Sequence, residues 1–323
     1  MPQSTPDGPS CTAVRAGRRF GSLPRPRGID DLVIEAPVGP LTALRARPEA
    51  GEALGVALLI PGFTGCKEDF YDLMPLLAGR GWDVWAFSQR GQADSVAPQG
   101  VEAYHRAHTA QDALDVARII LQATGADQLH LLGHSFGGVT AQAALLADPH
   151  PFRSLTLLDS GPHGWPGRHA DIREHLAEHP NLDLWSIDNL DRAQVPDSEL
   201  STLERFLRER SRATSRDQLI GTLDQLESAD DHSFEIRDTG VPVLVVHGAH
   251  DVYSWPQTWL HRMARIIDAR LEIIPDAAHC PNGENPAATA RVLDDFWTSQ
   301  NDPATRRRTV FEDQPTESIE PAA

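Results

Sequence analysis

The sequence predicts an α/β protein built on a doubly wound, mostly parallel, eight-stranded sheet with an inserted helical segment. Short apolar runs alternate with helical patterns through most of the chain, as parallel strands joined by crossover helices require. The first two runs flank Pro40 and alternate as an antiparallel hairpin does. Between His163 and Glu235 only helical patterns occur, so this segment interrupts the alternation.

Eight runs are suited to strands. The central ones are continuous and apolar, as expected where helices cover both faces of a sheet. In chain order the eight runs span residues 31–37, 41–46, 56–60, 84–87, 129–132, 155–159, 241–247 and 271–274.

Two of the intervening helices have recognisable ends. Thr109, with Asp112 three residues on, resembles a capping box, and Gly125 is placed to end the helix that follows. Asn285 before Pro286 is typical of an N-cap with proline at the first helical position.

Domain boundaries follow from the same patterns. Residues 1–28 and 301–323 lack apolar periodicity and are rich in Pro, Ser and charged residues, so both are expected to be mobile tails. The core is expected over 29–162 and 236–300, interrupted by a helical cap over 163–235. With 323 residues, 40% of them hydrophobic, the chain is long enough for one large domain of this kind.

The charge of the chain excludes some partners. The formal net charge is −17, and because the two expected tails contribute +4 and −2, the body between them carries −19. Such a surface repels nucleic acid and anionic lipid headgroups. We therefore expect no nucleic-acid partner.

Cysteine usage and hydropathy indicate the compartment. Cys11, Cys66 and Cys280 are too few and too scattered for a disulfide framework or a zinc site, which fits a reducing compartment. No run approaches the roughly 20 apolar residues of a membrane span, and no apolar segment follows a basic start. We expect a cytoplasmic protein without stable membrane insertion. Lys67 is the only lysine beside 28 arginines, a composition typical of a high-GC bacterial genome.

Gly133-His134-Ser135-Phe136-Gly137 lies between an apolar run and a helical pattern. A serine at such a sharp turn from strand to helix is the nucleophile elbow pattern. The serine backbone is strained there, and a Cβ at the flanking glycines would collide with neighbouring backbone. Ser135 is therefore the candidate nucleophile.

Two further residues follow Ser135 in the order acid, histidine. Asp251 comes just after the run at 241–247, and His279 lies in the loop after the run at 271–274. The carboxyl ends of parallel strands open onto one crevice, so Ser135, Asp251 and His279 can converge as a catalytic triad. Asp159 also ends a predicted strand and is the alternative acid.

These motifs resemble those of the α/β-hydrolase superfamily. The resemblance runs from about residue 31 to residue 300, and the stretch from 161 to 236 matches only as the variable cap of that superfamily. The matching pieces are Pro61-Gly62-Phe63-Thr64-Gly65, Arg90-Gly91, the elbow, His247-Gly248-Ala249-His250-Asp251 and Ala278-His279.

The resemblance implies where an oxyanion hole lies. The family takes one N–H donor from the residue after the nucleophile and one from the loop after the third strand, which here are Phe136 and Phe63. This chain has Pro61 where the family usually has histidine, so a side chain that normally braces the loop is missing. Ser88 and Gln92 likewise replace the usual aspartate and histidine around Arg90-Gly91.

The predicted function is hydrolysis of a carboxylic ester through an acyl-enzyme. The single-glycine oxyanion loop resembles that of family members that take medium or long acyl chains. A serine nucleophile excludes the dehalogenase and epoxide-hydrolase branches, which need a carboxylate. Thioester hydrolysis, C–C bond hydrolysis, acyl transfer and perhydrolysis remain alternatives, as does a non-catalytic ligand-binding receptor.

The expected partner is a small-molecule ester, and no cofactor is required. His247 and His250 have a metal-like spacing but no accompanying cluster of carboxylates or thiols, so no metal is expected. The sequence predicts no particular oligomeric state.

Overall fold

A computed structural model describes residues 13–301, and over this range the sheet has nine strands. They are β1 Val14–Ala16, β2 Ile29–Ala36, β3 Gly39–Ala46, β4 Gly55–Ile60, β5 Trp82–Phe87, β6 Leu129–His134, β7 Phe152–Leu158, β8 Val243–Gly248 and β9 Arg270–Ile274. Their order across the sheet is β1-β2-β3-β5-β4-β6-β7-β8-β9. Pairing is antiparallel from β1 through β3 to β5 and parallel from there to β9. The predicted doubly wound, mostly parallel α/β architecture is confirmed.

The predicted strand count was one too low. The additional strand β1 pairs with the edge of β2, and Val14 lies opposite Ile34. It falls in the segment 1–28 that was expected to be a mobile tail, so that expectation is wrong for residues 14–16. Backbone hydrogen bonds hold this short strand, and they leave no side-chain pattern in the sequence. Residues 1–12 and 302–323 of the two expected tails lie outside the described residues.

The helices connect the strands in the predicted alternation. They are α1 Met74–Ala78, α2 Arg106–Thr124, α3 Phe136–Ala147, α4 Ala170–Glu178, α5 Leu184–Asp188, α6 Thr202–Ala213, α7 Arg216–Leu226, α8 Ser233–Asp238, α9 Gln257–Ile267, α10 Pro281–Glu284 and α11 Pro286–Asn301. Short 3₁₀ helices span Lys67–Phe70, Val101–Tyr104 and Asp197–Glu199. Among the helices within residues 13–301, none combines the length and the apolar character needed to cross a bilayer.

One predicted helix start is wrong and two predicted ends are confirmed. Helix α2 begins at Arg106 with His105 as its N-cap, so the capping-box assignment to Thr109 placed the start too late. Thr109 is instead a buried residue of the first turn. Gly125 ends this helix in the left-handed conformation, with φ 73°. Asn285 caps α11, since its Oδ1 accepts from the Ala288 N–H at 3.2 Å.

Two apolar layers cover the sheet. The central strand β4 contributes to both, because Val56, Leu58 and Ile60 belong to one layer and Ala57 and Leu59 to the other. Helices α2, α3, α8 and α9 complete the first layer, and α1 and α11 complete the second. Covering both faces explains why the central strands are continuous apolar runs.

The segment between β7 and β8 is helical, and its described residues from 163 to 235 contain no strand. Helices α4, α5 and α7 share a small apolar cluster, and the side chain of Phe63 from the core packs against it. Helix α8 crosses the expected boundary at residue 235, and its Ile236 lies in the first core layer. We call residues 163–232 the helical insertion.

Asn285 provides a test of the helix assignment. Its side chain caps α11 and also donates from Nδ2 to the Pro275 carbonyl at 2.8 Å. We expect Asn285→Ala to lower the free energy of unfolding by about 0.5–2 kcal/mol, because loss of the cap leaves a helix N–H without an acceptor. Urea unfolding measures this change. The control Asn181→Ala, at an exposed position, should stay within about 0.5 kcal/mol of wild type, and equal stabilities for the two variants would contradict the assignment.

Candidate active site

Ser135 lies in a strained turn between β6 and α3. Its φ is 52° and its ψ is −123°, a conformation that L-residues rarely adopt. A Cβ at Gly133 would strike the Gly137 carbonyl, and a Cβ at Gly137 would strike the carbonyls of Ile60 and Pro61. Both glycines of the motif are therefore required by the close approach of α3 to the ends of β4 and β6.

Ser135, His279 and Asp251 form one hydrogen-bonded chain. The distance from His279 Nε2 to Ser135 Oγ is 3.0 Å, and the distance from His279 Nδ1 to Asp251 Oδ2 is also 3.0 Å. A carboxylate only accepts, so the Nδ1 atom carries the proton and the Nε2 lone pair faces the serine hydroxyl. The structure thus brings together the three residues that the sequence named from separate loops.

The surroundings of Asp251 favour its charged form. Burial acts to raise the pKa of this carboxyl, but hydrogen bonds from His279, from Ser254 and from the Tyr253 N–H outweigh burial and hold the pKa below its usual range. The carboxylate is therefore available to orient the imidazole and to stabilise its protonated form. Ser254 was not predicted as a residue of the site.

Asp159, the alternative acid, occupies a different position. It is fully buried at the end of β7, and its Oδ1 accepts from the Gly248 N–H at 3.0 Å. Burial raises its pKa well above the usual value, and the adjacent carboxylate of Asp251 acts in the same direction. His279 is bonded to Asp251 and not to Asp159.

The only group of potential metal ligands found within residues 13–301 consists of Asp159, Asp251 and His279, whose ligand atoms lie within 4.8 Å of one another. The oxygens of Asp251 already accept several hydrogen bonds, with which a metal ion would have to compete. The absence of a metal stays a prediction.

The two expected oxyanion donors border the nucleophile. Phe136 is the first residue of α3, where backbone N–H groups lack partners within the helix. The loop that carries Phe63 passes over Ser135, since a Cβ at Gly62 would lie 3.1 Å from the Ser135 Cβ. Within residues 13–301 no acceptor is found for the Phe63 N–H or the Phe136 N–H.

His134 has a role that the sequence did not indicate. Burial lowers the pKa of its imidazole to about 3, so the ring is neutral. Its Nε2 lies 2.7 Å from the His279 carbonyl oxygen, which only accepts, so His134 donates this bond. The contact fixes the loop of His279 against the elbow, and only the folded chain brings the two residues together.

Comparison with known proteins agrees with the fold. Residues 56–286 match the family model described as alpha/beta hydrolase fold. A pimeloyl-[acyl-carrier protein] methyl ester esterase of Neisseria meningitidis serogroup C is 28% identical over 276 residues, which are 78% of this chain and 97% of that protein. A 2-hydroxy-6-oxononadienedioate/2-hydroxy-6-oxononatrienedioate hydrolase of Dechloromonas aromatica is 25% identical over 190 residues, 55% of this chain and 65% of that one.

Solved structures show the same fold. A thermophilic esterase from Thermogutta terrifontis superposes with a TM-score of 0.66 at 18% identity, covering 84% of this chain and 99% of that chain. At this identity the likeness concerns architecture alone. The family model, however, covers well over half of the sequence, and the matched range contains the elbow, Asp251 and His279. The chain is therefore a member of the alpha/beta hydrolase family.

Proposed function

We propose that this protein is a serine hydrolase that cleaves a carboxylic ester through an acyl-enzyme, with Ser135, His279 and Asp251 as its triad. The observation that carries the proposal is the continuous hydrogen-bonded chain from Ser135 to Asp251, set at the strained elbow. Ser135 and His279 are both partly exposed, so a substrate can reach them.

In the proposed mechanism Ser135 Oγ attacks the ester carbonyl while His279 Nε2 accepts the hydroxyl proton. The N–H groups of Phe63 and Phe136 stabilise the negative oxygen of the tetrahedral intermediate. Collapse breaks the C–O bond to the alcohol, which leaves with the proton from His279. A water molecule then attacks the acyl-enzyme and gives a proton to His279, and the second tetrahedral intermediate collapses to the acid as His279 returns this proton to Ser135 Oγ.

The relatives support ester cleavage over the other reactions of this triad. The similarity to the methyl ester esterase extends over 78% of this chain at 28% identity, whereas the similarity to 2-hydroxy-6-oxononadienedioate hydrolases covers 55–73% of it at 23–25% identity. C–C bond hydrolysis is the second candidate. The 2-hydroxy-6-oxononadienedioate hydrolases among the relatives favour it over thioester hydrolysis, acyl transfer or perhydrolysis. We propose a small-molecule ester as substrate. The helical insertion is rich in acidic residues, and their charge disfavours a polyanionic substrate.

The helical insertion is proposed to act as a cap that selects the substrate. A cavity of about 120 Å³ lies between it and the oxyanion loop. The cavity is lined by Thr64, Leu184, Trp185, Asp188, Leu207, Arg210, Ser211, Thr214 and Leu219. This volume equals that of about four water molecules at roughly 30 Å³ each, below the usual 300–1,000 Å³ of ligand pockets. We propose that this cavity, which Thr64 of the oxyanion loop borders, receives the acyl group; its volume would then favour a short chain, in contrast to the medium or long chain suggested by the oxyanion loop.

Labelling with a fluorophosphonate tests the triad directly. The probe reacts only where a nucleophile, a base and an oxyanion hole occur together. We expect an adduct on Ser135, located by peptide mass spectrometry, and turnover of a short-chain nitrophenyl ester. Ser135→Ala and His279→Ala should abolish both while retaining a folded melting transition. A folded wild type that neither labels nor hydrolyses any ester would refute the hydrolase proposal and favour a ligand-binding role.

A pair of isosteric substitutions tests the identity of the acid. Asp251→Asn should lower kcat by roughly 10⁴-fold, because an amide facing His279 Nδ1 no longer selects the required tautomer. Asp159→Asn should cost less than about tenfold, since an amide resembles the neutral carboxyl that burial favours there. Steady-state kinetics on the same ester measures both. A larger loss for Asp159→Asn would assign the acid to β7 instead.

The size of the proposed pocket is testable at Leu207, which lines the cavity and is partly buried on α6. Leu207→Ala should raise kcat/KM for an octanoyl ester relative to a butyryl ester by roughly tenfold, the effect of accommodating an added methylene. Leu203→Ala, on the exposed side of the same helix, is the matched control and should leave the ratio unchanged. If both variants keep the wild-type ratio, the cavity is not the acyl pocket.

A further inference from the structure

Two buried glutamines hold the backbone of the oxyanion loop, where Pro61 replaces the usual histidine. Gln89 Nε2 donates to the Pro61 carbonyl at 3.0 Å, and Gln92 Nε2 donates to the Gly62 carbonyl at 2.7 Å. Both glutamines are almost inaccessible to solvent, so water does not compete for these carbonyls. The segment after β5 therefore supports the loop, in place of the histidine side chain that the family usually has there.

The orientation of both amides is determined by their partners. Gln92 Oε1 accepts from the Gln89 N–H at 3.0 Å, and Gln89 Oε1 accepts from the Thr140 hydroxyl at 2.9 Å. Gln92 faces a backbone donor and a backbone acceptor, whose roles are fixed, so its amide cannot be flipped without losing both bonds, and the Pro61 carbonyl requires the Nε2 of Gln89 as its donor. A buried network in which every member is satisfied is rigid.

The network also connects the two oxyanion donors. Thr140 lies on α3, one turn after Phe136, and Gln89 and Gln92 continue from Thr140 to the loop of Phe63. In a trans peptide the C=O and the following N–H point in opposite directions. Holding the Gly62 carbonyl toward Gln92 therefore directs the Phe63 N–H away from Gln92 and leaves it free for another acceptor.

We propose that Gln92 is the positioning residue of the oxyanion hole: by binding the Gly62 carbonyl it sets the direction of the Phe63 N–H relative to the Phe136 N–H. This inference rests on the proposed hydrolase function. Gln92 acts through the backbone and does not touch the substrate. We therefore expect Gln92 to help stabilise the transition state, where the oxyanion forms, and to leave binding of the ground-state ester unchanged.

The first experiment is Gln92→Met, which keeps the length of the side chain and removes its hydrogen bonds to the Gly62 and Phe63 carbonyls and from the Gln89 N–H. We expect kcat to fall by about 30–100-fold, because displacing one donor costs part of the 10²–10³-fold that its complete removal costs. KM should change less than about threefold. The inhibition constant of a trifluoromethyl ketone, whose adduct presents an oxyanion, should rise by the same factor as kcat falls.

Gln142→Met is the matched control. Gln142 is also buried, and its Nε2 donates to the Gly161 carbonyl at 3.0 Å, but this carbonyl is outside the oxyanion loop. The control loses one bond of the same kind, so it should also destabilise the fold while changing kcat and the ketone inhibition constant less than about threefold. Equal losses in the two variants would overturn the proposal.

Gln92→Glu provides a second readout that a purely structural role would not give. A protonated glutamic acid can still donate to the Gly62 carbonyl, whereas the carboxylate repels it. Burial raises the pKa of a carboxyl at such a position, so kcat relative to wild type should fall as the pH rises. If the ratio of Gln92→Glu kcat to wild-type kcat does not depend on pH between 5 and 8, the proposed role of Gln92 is wrong, although the hydrolase proposal stands. The same conclusion follows if Gln92→Met is as active as the control. A wild type without activity would overturn the proposed function and this inference together.

Discussion

The close approach of helix α3 to the ends of two parallel strands is the constraint on which the rest of the site depends. Ser135 can occupy its strained conformation only because Gly133 and Gly137 leave room for backbone atoms where side chains would collide. The strain exposes the hydroxyl above the sheet and places the Phe136 N–H at the start of the helix. The cost of such a conformation, of order 1–3 kcal/mol, is offset by the two apolar layers that fix the strands and helix around it.

The loop of His279 and the oxyanion loop are held in place relative to the elbow by hydrogen bonds between distant parts of the chain. His134 binds the carbonyl of His279, and Thr140 connects through Gln89 to the oxyanion loop. Each of these contacts starts from β6 or α3, the two elements that flank Ser135. Ser135, the loop of His279 and the oxyanion loop are therefore connected to the same two elements, an arrangement that the proposed mechanism requires for electrostatic preorganisation.

Asp69 connects the segment that follows the oxyanion loop to the helical insertion. Its carboxylate accepts from the Cys66 N–H at 3.1 Å and pairs with Arg210 of α6 at 2.8 Å. Its carbonyl accepts from Asn282 at 2.7 Å, just beyond His279. Phe63 adds an apolar contact between the loop and the insertion. The proposed oxyanion loop and the helical insertion are thus in direct contact.

From the sequence alone we predict the fold class, eight of the nine strands in the described residues, and Ser135 and His279 as candidate site residues. These features depend on local signals: apolar runs of strand length, glycines that a tight turn requires, and loops that directly follow strands. Strand β1 and the start of α2 escaped prediction, because one is held by backbone pairing and the other is capped by His105, a residue without a strong capping preference.

The folded structure is needed to distinguish the two aspartates, since Asp159 and Asp251 both end strands and differ in which donors surround them. It alone also revealed that Gln89, Gln92 and His134 support the site. Their partners lie far away in the sequence, and hydrogen bonds of this kind depend on distances that local patterns do not encode.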